Sequence, residues 1–130
     1  MVARRKELLE QLSTDLPTNC LIYPLDVRDA KALEFAAQNF MQRMGVPGIV
    51  IANAGVSRGT LTAHNGDIVA FKSVIEINLL GLVHTFQPFI AAMRKAGKGH
   101  LVGIARVAGI RGLPGAGAYG ASKAAPISYL

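Results

Sequence analysis

Three short apolar runs, separated by segments whose apolar residues recur every three or four positions, set the plan of this chain. The run Gly48-Ile49-Val50-Ile51-Ala52 is β-branched and unbroken, the pattern of a parallel strand covered on both faces. Two further runs, at 20–25 and 100–105, predict strands of the same kind. Between them, residues 4–12 carry Leu8, Leu9 and Leu12 at helical spacing with charges elsewhere, and the helix they predict ends at the Ser13-Thr14-Asp15-Leu16-Pro17 breaker. Asp29 is placed to cap a second helix that runs through Leu33, Phe35, Ala36, Phe40 and Met41 to Gly45. Residues 68–96 form a long apolar segment that reads as helix, with Pro88 predicting a kink or a break into two pieces and the glycines at 97 and 99 a stop. A glycine-rich loop at 107–117 then leads into a last helix from Ala118. Strands alternating with helices predict an α/β fold built on a parallel sheet.

Composition narrows the field. At 130 residues and 51% hydrophobic content, with no repeat and no linker, the chain is one domain with a core of its own. A net charge of +6 raises the question of nucleic acid, but the basic residues are dispersed and only Arg4-Arg5-Lys6 cluster, with few aromatics for stacking on bases. No nucleic-acid partner is expected. The single cysteine, Cys20, excludes an internal disulfide and fits a reducing, cytoplasmic setting. No uninterrupted apolar run reaches the roughly 18 residues a bilayer demands, so no membrane partner is expected. His64, His84 and His100 show no ligand spacing with one another or with Cys20, and no metal site is expected.

The candidate chemistry lies at the start of the last helix, in Tyr119-Gly120-Ala121-Ser122-Lys123. Residues four apart share a helix face, so a phenol and an ammonium can face one site. The ammonium favours the phenolate and draws the tyrosine from a pKa of about 10 toward the range where protons exchange near neutrality. Polar or small residues stand at three strand ends: Asp26, the triplet Asn53-Ala54-Gly55, and the loop before Tyr119. In open α/β sheets, ligands bind at the carboxyl ends of strands, so these positions converge on one crevice.

Together with Asn78 in the long helix, this order and separation of motifs resembles the short-chain dehydrogenase/reductase family of nicotinamide-dependent oxidoreductases, over essentially the whole chain. The resemblance implies an incomplete Rossmann-type, doubly wound parallel sheet, a partial NAD(P)-binding domain lacking the first two strands and the C-terminal strands. It implies that Tyr119 is the general acid/base at the substrate oxygen and that Lys123 holds the nicotinamide ribose and lowers the tyrosine pKa. Asn78 would bend its helix and bind the water that links Lys123 to solvent. Asn53, Ala54 and Gly55 would line the cofactor floor, and Asp26 and Val27 would contact the adenine. Arg4 and Arg5 resemble the residues after the family's second strand, where a guanidinium fork suits the 2′-phosphate of NADP, so NADP is expected over NAD. The substrate would be a small carbonyl compound or alcohol, and family members commonly associate through the helices holding Asn78 and Tyr119. Apolar faces at Ile90, Met93 and Ile127 are therefore expected to be exposed for a homo-oligomer.

Three departures from the family pattern qualify the expected activity. Arg106 stands thirteen positions before Tyr119, where the family places a serine that binds the substrate carbonyl. Ser57 does not match that position in the motif order. Loss of one such donor lowers rates by about 10²–10³. Pro126 falls inside the helix of Tyr119 and Lys123, where an interior proline clashes with the carbonyl four residues back and either distorts or ends the helix. No glycine-rich phosphate loop precedes Arg4, so the central strand is expected to carry an open edge. Weak or absent activity of the chain by itself is expected, and the competing reading is a non-catalytic interaction or assembly module.

Overall fold

The computed structural model describes residues 1–130 as alternating strands and helices. Strand β1 (Val2–Ala3) leads into α1 (Lys6–Asp15), β2 (Tyr23–Pro24), α2 (Ala30–Met44) and β3 (Ile49–Ala52). There follow α3 (Asp67–Ile75), a π-helical turn (Glu76–Leu80), α4 (Gly81–Ala96), β4 (His100–Gly103), a 3₁₀ turn (Val107–Gly109) and α5 (Gly117–Tyr129). Asp29 caps α2 as its spacing predicts, accepting a hydrogen bond from Ala32 N at 2.9 Å.

All strand pairs are parallel, but the strands form two separate ribbons, β1 with β2 and β3 with β4. Val2 lies opposite Tyr23, and Ile49 to Ala52 run opposite His100 to Gly103. The expectation that two strands are missing is corrected. Val2–Ala3 is itself a strand, neighbour to β2, and an open lane without backbone hydrogen bonds, lined by residues of both ribbons, lies between β1 and β3. The expected strand at 20–25 shrinks to Tyr23–Pro24, because β1 offers it only two residues to pair with. Tyr23 N and Leu25 N donate to Met1 O and Ala3 O, while His100 N and Ile104 N donate to Gly48 O and Ala52 O. Alternate residues of a parallel strand direct their backbone groups to opposite sides, so Val2, Ile49 and Ile51 present theirs to the open lane.

The core sits on one face of β3, where Val50 and Ala52 meet Leu82, Phe86 and Met93, with Val83, Phe89, Ile90 and Leu101 packed around them. Helix α2 joins this layer through an edge-to-face contact of Phe40 with Phe89, centroids 6.5 Å apart. The opposite face of β3 is bare: Ile49 and Ile51 are 61% and 57% exposed. A strand covered on both faces was expected there, and one face is covered. The expected association face is corrected as well. Met93 belongs to the core and Ile90 packs against it, leaving Ile127 exposed.

Both prolines defy their local expectation. Helix α4 runs unbroken through Pro88, and the irregularity of the long helix falls instead at the π turn around Asn78. Helix α5 continues through Pro126 to a hydrogen bond from Leu130 N to Pro126 O, and the proline is fully buried. Burial of its ring against the core offsets the lost backbone bond. The helical run Asp67–Ala96 is, at 30 residues and mean hydropathy 1.5 over its most apolar window, long and apolar enough by composition to cross a membrane. Here it is the central helix of the α/β layer, with Val74, Asn78, Leu82, Phe86 and Met93 buried.

Phe86 is fully buried and Phe35 is 71% exposed. Phe86→Ala is expected to lower unfolding free energy by about 3–5 kcal/mol and Phe35→Ala by no more than about 0.5 kcal/mol. Urea denaturation followed by circular dichroism reads both; equal losses would contradict the single-faced core.

Candidate functional site at the ends of β3 and β4

The carboxyl ends of β3 and β4 meet the opening of α5, and one buried amide joins them. Asn78, 2% exposed, accepts from Val56 N at 2.8 Å through Oδ1. Its Nδ2 donates to Val56 O at 2.9 Å and to Ser122 Oγ at 2.8 Å. Ser122 Oγ in turn donates to Tyr119 O at 2.8 Å. The chain leaving β3 is thus pinned to the π turn, and the π turn to the helix that carries Tyr119 and Lys123. Both amide hydrogens of Asn78 are committed to protein partners.

Lys123 is 6% exposed and donates from Nζ to Ile104 O at 2.7 Å, one step past β4. Burial holds its ammonium below the ordinary lysine range, and the neighbouring Arg106 cation adds to the depression. Gly55 lies against the same point: a methyl group there would come 3.3 Å from Asn78 Oδ1 and 3.5 Å from Lys123 Nζ. Gly55, Asn78 and Lys123 therefore meet at one junction, with Tyr119 one turn earlier on α5 and half-buried.

Helix α5 begins with no cap from its own N-terminal residue, Ala116. Thr60, buried in the loop after β3, supplies one: its Oγ1 accepts from Ala118 N at 3.0 Å, and Thr60 N donates to Gly115 O at 2.8 Å. On its other side α5 packs against the 3₁₀ turn, so closely that a side chain at Gly109 would collide with the backbone carbonyl of Lys123. Gly109 N donates to Arg106 O at 2.8 Å, which fixes the backbone of Arg106 beside α5.

The residues expected to hold the cofactor line one cavity of about 880 Å³. Arg4, Arg5, Asp26, Val27, Asn53, Ala54 and Gly55 all contribute to its wall, while Lys123 adjoins it through Gly55 and Tyr119 is not among its lining residues. The cavity follows the open lane from Met1 and Pro47 to Val56, and its lower walls are the apolar residues of β1, β2 and β3. Only the polar end at Arg4, Arg5, Asp26 and Asn53 matches the chemistry of a dinucleotide. Asp26 is engaged by Arg28, whose Nη2 and Nε donate at 2.7 and 3.1 Å and whose backbone N donates at 3.0 Å. These hydrogen bonds hold its carboxyl well down, at about 2, against an opposing effect of burial. The carbonyl of Val27 accepts from His84 Nδ1 at 3.2 Å, which ties the end of β2 to α4. No ion pair occupies Arg4, Arg5, Arg106 or Lys123.

The structure gathers Asn53, Ala54, Gly55, Asn78 and Lys123 as the spacing of motifs implies, and lines the cavity with the remaining candidates. Sequence reasoning missed Val56, Thr60, Ile104 and Ser122. Two of these act through backbone groups, which no residue pattern reveals. Ser122 lies within the Tyr-to-Lys stretch and Thr60 in an unremarkable polar loop, and each gains its role only through a distant partner.

A sequence profile of the short chain dehydrogenases matches residues 1–130. The chain belongs to the short-chain dehydrogenase family. It is 36% identical over 108 residues to 2-dehydro-3-deoxy-L-rhamnonate dehydrogenase (NAD(+)) of Sphingomonas sp. strain SKA58, covering 83% of this chain and 43% of the relative. It is 31% identical over 121 residues to the NADP-dependent 3-hydroxy acid dehydrogenase YdfG of Escherichia coli K12, covering 93% of this chain and 49% of that protein. The fold superposes on the crystal structure of serine dehydrogenase from Escherichia coli with a TM-score of 0.90 at 30% identity, over 98% of this chain and 59% of the other. The chain thus spans about half the length of the curated relatives it matches. Short-chain dehydrogenases similar to it use NADP or NAD.

Two outcomes follow from the site's geometry. Asn78→Leu strands both backbone groups of Val56 and is expected to lower stability by about 2–4 kcal/mol, against about 1 kcal/mol for Ser122→Ala, by urea denaturation. Asp26 has a folded pKa below its unfolded value, so the stability it contributes is full above the ordinary carboxylate range and is lost as pH falls toward about 2. The pair is partly exposed, so this contribution stays within about 1 kcal/mol. Comparing urea midpoints at roughly pH 5 and roughly pH 2.5 should show a smaller drop in Arg28→Gln than in the native protein.

Proposed function

We propose that this chain carries the proton-transfer site of an NADP-preferring oxidoreductase that interconverts a small carbonyl compound and its alcohol. The observation that carries this reading is the junction of Gly55, Asn78 and Lys123, because it holds a buried ammonium at the ends of two parallel strands, one helical turn from Tyr119 on the same helix. The residues fit the two ends of a nicotinamide dinucleotide. Gly55 leaves room for close backbone approach beside Lys123, and Arg4 and Arg5, which make no ion pair, follow β1 on the wall of the same cavity. When bound, the nicotinamide supplies or accepts the hydride.

The chain's own residues manage the proton and the orientation. Tyr119 gives a proton to the substrate oxygen in reduction and takes one in oxidation. Lys123, held by Ile104 O through one hydrogen bond, keeps two N–H groups for the ribose hydroxyls and for the phenol side. Asn78 keeps the π turn and α5 in register, so that Lys123 and the floor at Gly55 stay in contact. Arg4 and Arg5 favour the 2′-phosphate of NADP through the guanidinium fork. The named relatives act on acids, which supports an organic acid among the substrates of this chain.

Arg106 stands where the family carries its serine donor, so weak turnover is expected of residues 1–130. NADPH titration followed by its fluorescence should give saturable binding, tighter than for NADH, with that preference lost in Arg4→Gln/Arg5→Gln. Micromolar binding with steady carbonyl reduction would overturn the expected weakness; no saturable binding at any concentration would overturn the oxidoreductase reading. A second reading, an assembly module, is favoured by the free backbone groups of Val2, Ile49 and Ile51 along the lane and by the bare face of β3. Sedimentation of the purified chain together with the NADPH titration separates the two, since the assembly reading requires concentration-dependent association without cofactor binding.

A further inference from the structure

We propose that Arg106 anchors a carboxylate of the substrate, selecting hydroxy and oxo acids in which the carboxylate lies within a few bonds of the reacting carbonyl. The inference deepens the oxidoreductase reading and rests on it for the identity of the reacting group. Its geometric basis is the placement of Arg106. Ile104 O holds Lys123 Nζ at 2.7 Å, and Arg106 follows two residues later in extended backbone conformation, with φ −150° and ψ 162°. The next residues form the 3₁₀ turn that rests on α5 at Gly109, and Gly109 N holds Arg106 O at 2.8 Å. The backbone of Arg106 is therefore fixed beside the helix of Tyr119 and Lys123, while its side chain is exposed.

Charge supplies the second argument. The two ion pairs of the molecule are Lys6 with Glu10 and Arg28 with Asp26, so the Arg106 guanidinium has no carboxylate partner of its own. None is near in sequence either: after Glu76 the chain contains no aspartate or glutamate, while Arg94, Lys95, Lys98, Arg106, Arg111 and Lys123 all fall in that stretch. Thr60 and Ala116 bridge the loops that follow β3 and β4, which carry the exposed Arg58, Arg106 and Arg111. The mouth of the site is thus rimmed by cations, and Asp67, which accepts from Leu61 N at 2.7 Å, borders the β3 loop without an ion pair to Arg106. Lys123 senses this, since the Arg106 charge contributes to its lowered pKa.

A planar guanidinium presents paired N–H donors that match the two oxygens of a carboxylate, a contact an uncharged alcohol cannot return. At this position the same group also offers a donor to the substrate carbonyl, in place of the serine that the family carries there. An acid is therefore held at both its carboxylate and its reacting oxygen, and a neutral substrate at the oxygen alone. The preference for acids follows.

The test is binding, read independently of turnover. The ¹⁵N-labelled chain is titrated with 3-hydroxybutyrate and, separately, with its methyl ester, following the amides of the 3₁₀ turn and of Lys123. The acid is expected to bind at least tenfold more tightly than the ester, the value of one charge-assisted bidentate contact being about tenfold to a hundredfold. Arg106→Gln should abolish that difference and Arg106→Lys should keep part of it; the side chain is exposed, so both variants are expected to fold, as their unshifted amides elsewhere would verify. Equal affinity for acid and ester in the native chain, no binding of either, or a preference that persists in Arg106→Gln would each overturn the proposal. Failure of the oxidoreductase reading is seen separately: acid preference without NADPH binding removes the reading and leaves the anion site, whereas turnover of neutral carbonyls without acid preference does the reverse.

Discussion

The side-chain amide of Asn78 is the contact on which the rest of the site depends. One buried group makes three hydrogen bonds to two elements far apart in sequence, and between them those bonds hold the exit of β3 against the helix of Tyr119 and Lys123. A buried amide left unpaired is expensive, and one fully paired specifies a single arrangement. The local π turn is where the long helix widens to present this residue, so the irregularity and the site have one location. Helix regularity yields to a tertiary contact here, and Gly55 has no side chain because its neighbour is that contact.

Much of this was legible in the chain. The strand at Ile49 declares itself through three consecutive β-branched residues, and the cap of α2 through Asp29. Tyr119, Lys123, Asn78 and Asn53-Ala54-Gly55 were identifiable because their spacing is characteristic as a set. What was illegible depends on distant partners. Pro88 and Pro126 are helix breakers by local rule, and each stays inside a helix whose tertiary packing outweighs the local penalty. Met93 looks like an exposed apolar residue on a surface helix until β3 packs beneath it. Val2–Ala3 is too short to register as a strand in any pattern, and it exists because Tyr23 N and Leu25 N bond to Met1 O and Ala3 O.

The two ribbons explain why the large cavity has two characters. Its apolar length is the lane between β1 and β3, and its polar end is the meeting of strand termini. Ligand-binding chemistry at that end does not require the lane to be open, whereas the exposed backbone groups along it are of the kind that recruit another strand. One sheet edge therefore bears on solubility and the other end of the same cavity on chemistry, and a substitution at Ile51 addresses the first while one at Arg4 addresses the second.

The cap that Thr60 lends to α5 has a consequence for how the protein forms. Its partner, Ala118, lies 58 residues away, so the first turn of the helix that carries Tyr119 gains this hydrogen bond only after a long loop has closed. Helix nucleation is unfavourable, and an end that borrows its cap inherits the entropy of that closure. The tyrosine thus sits where local sequence contributes least to order. Fraying of the β3 loop and fraying of α5 become one event, and the candidate site assembles or loosens as a unit.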